Sequence, residues 1–155
     1  MLHRHASAGE KLDLPGLDGM RPLDRTGRAD ARLLPQALAD FKLARVVSSS
    51  HRRCLDTVRP LVRARGLQLE RREELAPDAP LEDTKALLEE LSDATLFCTH
   101  REVFERLFGG TIVCEKGGTW VVERRGSALV PIEYLPPPTQ LVAPPRPAVV
   151  AARLR

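Results

Sequence analysis

The chain has 155 residues, 43% hydrophobic and only 4% aromatic, with 24 lysines and arginines against 21 acidic residues for a formal net charge of +3. That length fits one domain, able to bury roughly 70% of its unfolded surface around a core of Leu, Val and Ala without metal or disulfide staples. The charge is too mild for a binder of nucleic-acid polymers though no obstacle to small anions, and no apolar run of about 18 residues offers a membrane span.

In chain order, "LHRH" is a short first strand that ends on Arg4 and His5, and "LDLPGLDGM" is a Gly/Pro/Asp loop. Asp24 is placed to cap a helix whose apolar positions run through Leu33, Leu34, Ala37, Leu38 and Phe41, with Pro35 expected to kink or restart it. "LARVVSSS" reads as a buried strand running into a serine loop. "HRRCLDTVRPLVRARG" reads as a helix ended by Gly66, with Pro60 a second expected kink. "LQLERREEL" suggests another strand, "APDAPLED" a loop, and "DTKALLEELSD" a short amphipathic helix capped by Asp83. "ATLFCTH" is an apolar strand stopping at Thr99 and His100, and "REVFERLFGG" a helix ending at Gly109. Two or three strands follow in "TIVCEKGGTWVVERRGSALVPIEYL", turning at "KGG" and "RRGS", with Trp120 expected in the core. Residues 136–155 are proline-rich and lack a core pattern, which divides the chain into a domain over 1–135 and a tail over 136–155.

Strands alternating with helices predict an α/β fold, a three-layer sandwich with a mostly parallel central sheet flanked by helices. Ligands of such sheets bind outside the carboxyl ends of the strands. Three strand ends here carry polar groups: Arg4 and His5, then Ser48 to Ser50 with Arg52 and Arg53, then Thr99 and His100. One convergent site is the simplest reading. Cys54, Cys98 and Cys114 are odd in number and without CxxC spacing, so they read as buried thiols of a reducing compartment. The absence of a secretory leader points the same way, to the cytoplasm.

"LHRHASAG", "SSSHRRCLDT" and "LFCTHREV", in that order, resemble the three motifs of the histidine phosphatase (phosphoglycerate mutase-like) superfamily, and "RPLDRTGRADA" resembles its helix start. The likeness covers residues 1 to about 135. The short length resembles the phosphohistidine phosphatase branch, while "CTHREV" and "KGGTWVVERRG" also look like a phosphatase domain joined to a Nudix domain. Only two residues precede His3, so either the sheet accepts a short first strand or the chain is part of a longer protein.

The resemblance implies a catalytic set of His5, His100, Arg4 and Arg53. Arg4 and Arg53 would clamp the phosphoryl group with guanidinium forks. His5 would be the nucleophile, and His100 would donate to the phosphoryl oxygens. Neighbouring cations disfavour the imidazolium of His5, as a nucleophile requires. Ser49 and Thr99 stand as auxiliary substrate contacts. Arg21 reads equally as a residue of the pocket mouth or a surface ion pair. The Arg-x-x-x-Thr spacing to Thr57 selects Arg53 over Arg52, which becomes a rim residue, as does His51. The family's mutase-like acid has no counterpart, since Pro77 holds its place. Glu74, Asp78 and Glu82 are the nearby carboxylates, with Glu74 and Asp78 the candidate proton donors. His3 and His5 form an H-x-H pair without a third ligand, so no metal and no cofactor are expected.

The implied activity is a metal-independent phosphatase working through a phosphohistidine on His5, with a phosphorylated small molecule, a nucleotide or a phosphohistidine protein as partner. Hydrolysis of nucleoside di- or triphosphates beside a Nudix-domain partner is the alternative within the class. A non-catalytic phosphoryl-binding module is the alternative outside it.

Overall fold

The computed structural model describes residues 1–141 except 12, 15 and 92. A six-stranded sheet runs in the order β3-β2-β4-β1-β5-β6. Its strands are β1 (Leu2–Arg4), β2 (Arg45–Ser48), β3 (Gln68–Arg71), β4 (Thr95–Thr99), β5 (Thr119–Arg125) and β6 (Ala128–Leu135). The first four are mutually parallel through the pairs β2/β3, β2/β4 and β1/β4, while the β5–β6 hairpin joins β1 antiparallel. The short β1 is paired on both edges, with Leu2 opposite Phe97 on β4 and Trp120 on β5.

Strand periodicity explains the layers. Val46 on β2 and Leu96 and Cys98 on β4 face one side, where they pack with Leu34, Leu38, Cys54, Val58 and Leu61. Their neighbours Val47 and Phe97 face the other side, with Leu87, Leu88 and Phe104. Helices α1 (Arg25–Ala37) and α2 (Arg52–Arg65) thus cover one face, and α3 (Leu81–Glu90) and α4 (Arg101–Phe108) cover the other. This is the three-layer sandwich expected, with a mostly parallel sheet. Trp120 is half-buried against the second core, its indole N–H donating to Val113 O at 3.0 Å. All three cysteines are buried and unbridged.

The structure narrows or corrects four expectations. α1 and α2 continue through Pro35 and Pro60 without restarting. An interior proline costs about 3 kcal/mol, but buried residues on both sides of each proline, Leu34 and Leu38, and Val58 and Leu61, lock the helices to the sheet. α3 is capped by Pro80, not by Asp83. The Pro80 carbonyl accepts from the N–H groups of Asp83 and Thr84, so Asp83 sits in the first turn, where a negative charge meets the positive helix end. Finally, the proline-rich segment begins as packed structure. Pro138–Leu141 forms one helical turn, α5, with Pro138 buried and Thr139 donating from both its N–H and its Oγ1 to Asp30 Oδ1 at 3.0 and 2.8 Å. The rest of the foreseen tail, 142–155, lies outside the described residues.

Candidate active site

The carboxyl ends of β1, β2 and β4 meet at one edge of the sheet. The His5 N–H donates to Thr99 O and the Ser49 N–H to Cys98 O, each at 3.0 Å, which carries the strand register into the loops bearing the site. Beyond β1 the chain is braced by α1. Asp24 caps that helix by accepting from Gly27 N at 2.8 Å, and its other oxygen accepts from Ser7 Oγ and Gly9 N. From the second-motif side, Thr57 Oγ1 accepts from Ala6 N at 3.0 Å and donates to Arg53 O.

These supports hold a cleft of about 200 Å³ lined by Arg4, His5, Gly9, Lys11, Asp18, Arg21, Arg53, Pro77, Arg101, Glu102 and Lys116. Six of its lining side chains are basic and two are acidic. Burial foremost, then the fields of Arg53, Arg4 and Arg21, push the His5 pKa down to about 3. Its tautomer follows from its partners. Nδ1 lies 2.8 Å from Ala6 O, which can only accept, so Nδ1 carries the proton. Nε2 is left with its lone pair and accepts from Arg53 Nε at 3.3 Å. His5 is therefore a neutral imidazole with an unprotonated nitrogen beside a guanidinium.

Arg53 also donates through Nη1 to Asp18 O and pairs with Asp18 Oδ2 at 3.1 Å. Through Nη2 it donates to His100 Nδ1 at 3.2 Å. His100 must then carry its proton on Nε2, which lies 2.9 Å from Ser49 Oγ and 3.1 Å from His51 Nδ1. Burial foremost, then His5 and Arg53, hold its pKa far below the usual histidine range. Its ring centroid is 5.2 Å from that of His5. Arg4 donates to Cys114 O at 2.7 Å, and its Nε is buried without a hydrogen-bond partner among the described residues.

The expected quartet of Arg4, His5, Arg53 and His100 thus converges, and Arg21 joins it at the mouth, where it pairs with Asp18 at 3.0 Å. Arg52 stays outside and pairs with Asp56, as the motif spacing implied. Other placements differ from expectation. His100 lies behind Arg53, and in this arrangement its proton faces Ser49 and His51 instead of the cleft. Ser49 is buried against His100, so it contacts the substrate machinery only through that ring. Thr99 is turned away, its Oγ1 donating to Leu75 O at 2.7 Å. Glu74 sits in a separate cleft with Arg72, which it pairs at 2.7 Å. Asp78 is exposed and does not line the catalytic cleft. Glu82 pairs with exposed Lys85 at 3.2 Å. His51, read as a rim residue, is half-buried and touches His100.

Sequence reasoning missed Asp18, Arg101, Lys11 and Lys116. Asp18 had a weak signal, as the acid of a Gly/Asp loop near two motif arginines. The lysines had none. Among the described residues no cluster of three or more His, Cys, Asp or Glu side chains is arranged to hold a metal ion.

Against known proteins, the profile of the histidine phosphatase superfamily (branch 1) matches residues 1–77. The chain belongs to the histidine phosphatase superfamily. Its fold is similar to the protein histidine phosphatase SixA complexed with tungstate (TM-score 0.73, 20% identity, 91% of this chain and 97% of that one). It is similar also to SixA from Agrobacterium tumefaciens (TM-score 0.70, 24% identity, 88% and 96%). In sequence it is 29% identical over 153 residues to an 8-oxo-(d)GTP phosphatase of Mycolicibacterium smegmatis, a match covering 88% of this chain. The chain spans about half (48%) the length of that curated relative.

Buried neutral histidines carry a consequence for stability. His3, fully buried with Nδ1 2.7 Å from Thr119 Oγ1, is also pushed down to about 3 by burial. Histidines of the unfolded chain titrate near 6.5, so above that pH neither state gains a proton and these residues cost nothing. As pH falls from 6.5 toward 3 the unfolded state takes up protons that the fold refuses, and stability drops by up to about 1.4 kcal/mol per pH unit for each such residue. Urea midpoints measured at pH 7 and pH 5 should fall less for His3→Leu than for the parent chain. An identical fall would contradict the buried neutral state of His3.

Proposed function

We propose that the chain hydrolyses phosphoryl groups through a covalent intermediate on His5, acting on substrates whose leaving group departs without a donated proton. The observation that carries this reading is the unprotonated Nε2 of His5 beside Arg53 in the cationic cleft. A phosphoryl anion entering the cleft draws the guanidinium of Arg53 and the unsatisfied Nε of Arg4 to its oxygens. His5 Nε2 donates its lone pair to phosphorus, and the bond to the leaving group breaks with its electron pair. Water then attacks phosphorus from the vacated side. The P–N bond breaks, the lone pair returns to Nε2, and inorganic phosphate leaves carrying the water oxygen.

The leaving-group claim rests on the carboxylates. Neither Glu74 nor Asp78 lines the cleft, and Asp18 is engaged by Arg21 and Arg53. That leaves Glu102 as the cleft carboxylate outside those pairs and the acid that the test below addresses. A phosphate departs on its own, and the imidazole of a phosphohistidine departs as a neutral ring once its other nitrogen has taken a proton from solvent. Phosphoanhydrides and phosphohistidine therefore fit, whereas an alkyl phosphate loses the roughly 10²–10⁴-fold that a general acid supplies. Lys11, Arg21, Arg101 and Lys116 add positive charge beyond the two clamping arginines. That favours a polyanion, so nucleoside di- or triphosphates are the leading substrates and phosphohistidine peptides the second. The likeness to the 8-oxo-(d)GTP phosphatase supports the same order, and a relative twice as long accords with a Nudix domain as partner.

The test is a phosphate-release panel. Nucleoside triphosphates or a phosphohistidine peptide should exceed an alkyl phosphomonoester by at least about 10²-fold in kcat/KM, with EDTA without effect. Equal rates on the alkyl ester, lost again in Glu102→Gln, would instead assign an acid to the cleft.

A further inference from the structure

Away from the catalytic cleft, α1 and α2 enclose a groove of about 380 Å³ lined by Pro22, Leu23, Ala31 and Pro60 together with Arg28, Arg32, Arg52, Asp56, Arg59 and Arg63. Five arginines face one aspartate in a chain whose net charge is only +3. The arginines form two stripes. Arg28 and Arg32 are one turn apart on α1, while Arg52, Arg59 and Arg63 follow one side of α2 over about 16 Å at 1.5 Å per residue. Asp56 is occupied by Arg52 and Arg59, and Arg28 donates to Leu23 O. Arg32 and Arg63 are exposed and have no hydrogen bond or ion pair among the described residues. Concentrating unpaired guanidinium groups across a narrow groove is unfavourable for the isolated fold, because like charges repel and the fork donors are left to water.

We propose that this groove docks an acidic segment of a partner protein, with carboxylates on the two arginine stripes and apolar side chains on the floor of Pro22, Leu23, Ala31 and Pro60. The floor decides between kinds of polyanion. A nucleic-acid backbone gains nothing from proline, leucine and alanine, and the groove is lined by no aromatic side chain on which bases would stack. An amphipathic acidic segment uses both surfaces. Its mouth adjoins the active site through the chain itself: Pro22 follows Arg21 of the cleft, and Arg52 precedes Arg53. A docked segment would therefore lie beside the phosphoryl site without occupying it. The inference stands on the groove alone, independently of the substrate.

The experiment uses the full chain and a fluorescein-labelled 14-residue peptide of glutamates with leucine at every third or fourth position, read by fluorescence anisotropy. The expected result is binding that weakens at least tenfold in Arg32→Glu/Arg63→Glu and at least tenfold when glutamine replaces glutamate in the peptide. Arg45→Glu/Arg125→Glu makes the same change in net charge outside the groove and should leave affinity within about twofold at 0.15 M salt, where charges beyond about 8 Å are screened. Thermal melts confirm that both double variants fold, and phosphate release from a small substrate should be unchanged in Arg32→Glu/Arg63→Glu. Equal loss in the two double variants would overturn the proposal, leaving only a general field. Equal or tighter binding of a single-stranded oligonucleotide of matched charge would assign the groove to nucleic acid. Concentration-dependent oligomers that Arg32→Glu/Arg63→Glu abolishes would assign it to a second copy of this chain.

Discussion

Replacing His5 by alanine should lower turnover by roughly 10⁴-fold or more, the loss typical when a covalent nucleophile is removed, while thermal stability at pH 7 changes little. The asymmetry follows from where the ring sits. His5 is buried, but its two nitrogens serve a local carbonyl and Arg53, and it belongs to neither apolar core. Removing it deletes the lone pair proposed to attack phosphorus and leaves the backbone bond from His5 N to Thr99 O in place. The cationic cleft survives, so phosphate should still bind His5→Ala. Arg53→Lys tests the neighbouring role. Lysine keeps the charge and loses the fork that reaches His5, His100 and Asp18 together, so activity should fall with the charge intact. Substantial turnover by His5→Ala would place the nucleophile elsewhere.

The second large effect is expected at Gly27, which lines no part of the cleft. A Cβ built there would lie 2.0 Å from the Ser7 carbonyl oxygen, a backbone atom. That carbonyl has no room to retreat, since it accepts from Asp24 N at 3.0 Å while Ser7 Oγ donates to Asp24. Gly27→Ala must move either the first turn of α1 or the Ser7 loop, at a cost of about 1–3 kcal/mol or more. For a chain of this size that lowers Tm by on the order of 5–10 °C. Because Ser7 lies two residues after His5, activity should fall at temperatures where the variant remains folded. The adjacent Thr26→Ala, at an exposed position, should be silent in both assays. A fully active, fully stable Gly27→Ala would show that the approach of α1 to the nucleophile loop is not a constraint.

The motifs made the centre of this site legible because their spacing is tied to sheet topology. Arg4–His5, Arg53 and Thr99–His100 follow three strands that the fold places side by side. Spacing also separated Arg53 from Arg52, since Thr57 one turn on is the residue that braces the backbone of Ala6. Side-chain direction was beyond its reach. Thr99 and Ser49 sit where the motif puts them, yet one turns to Leu75 and the other to His100. Carboxylates failed for another reason: Glu74 is close to the site in sequence, but the neighbouring Arg72 captures it. Lys11, which belongs to no motif, came into the cleft through loop packing that no local pattern encodes, whereas Arg101 at the start of α4 and Lys116 lie within quoted segments that gave their side chains no role. The helices' passage through Pro35 and Pro60 has the same origin, tertiary burial outweighing local propensity.

Covalent catalysis by His5 is tested most directly by quenching a reaction with γ-³²P-labelled nucleoside triphosphate in the first turnover and mapping the label. The account predicts a stoichiometric, acid-labile and alkali-stable phosphate on the peptide holding His5, absent from His5→Ala. Turnover without any trapped label, or a label carried by another residue, would contradict it.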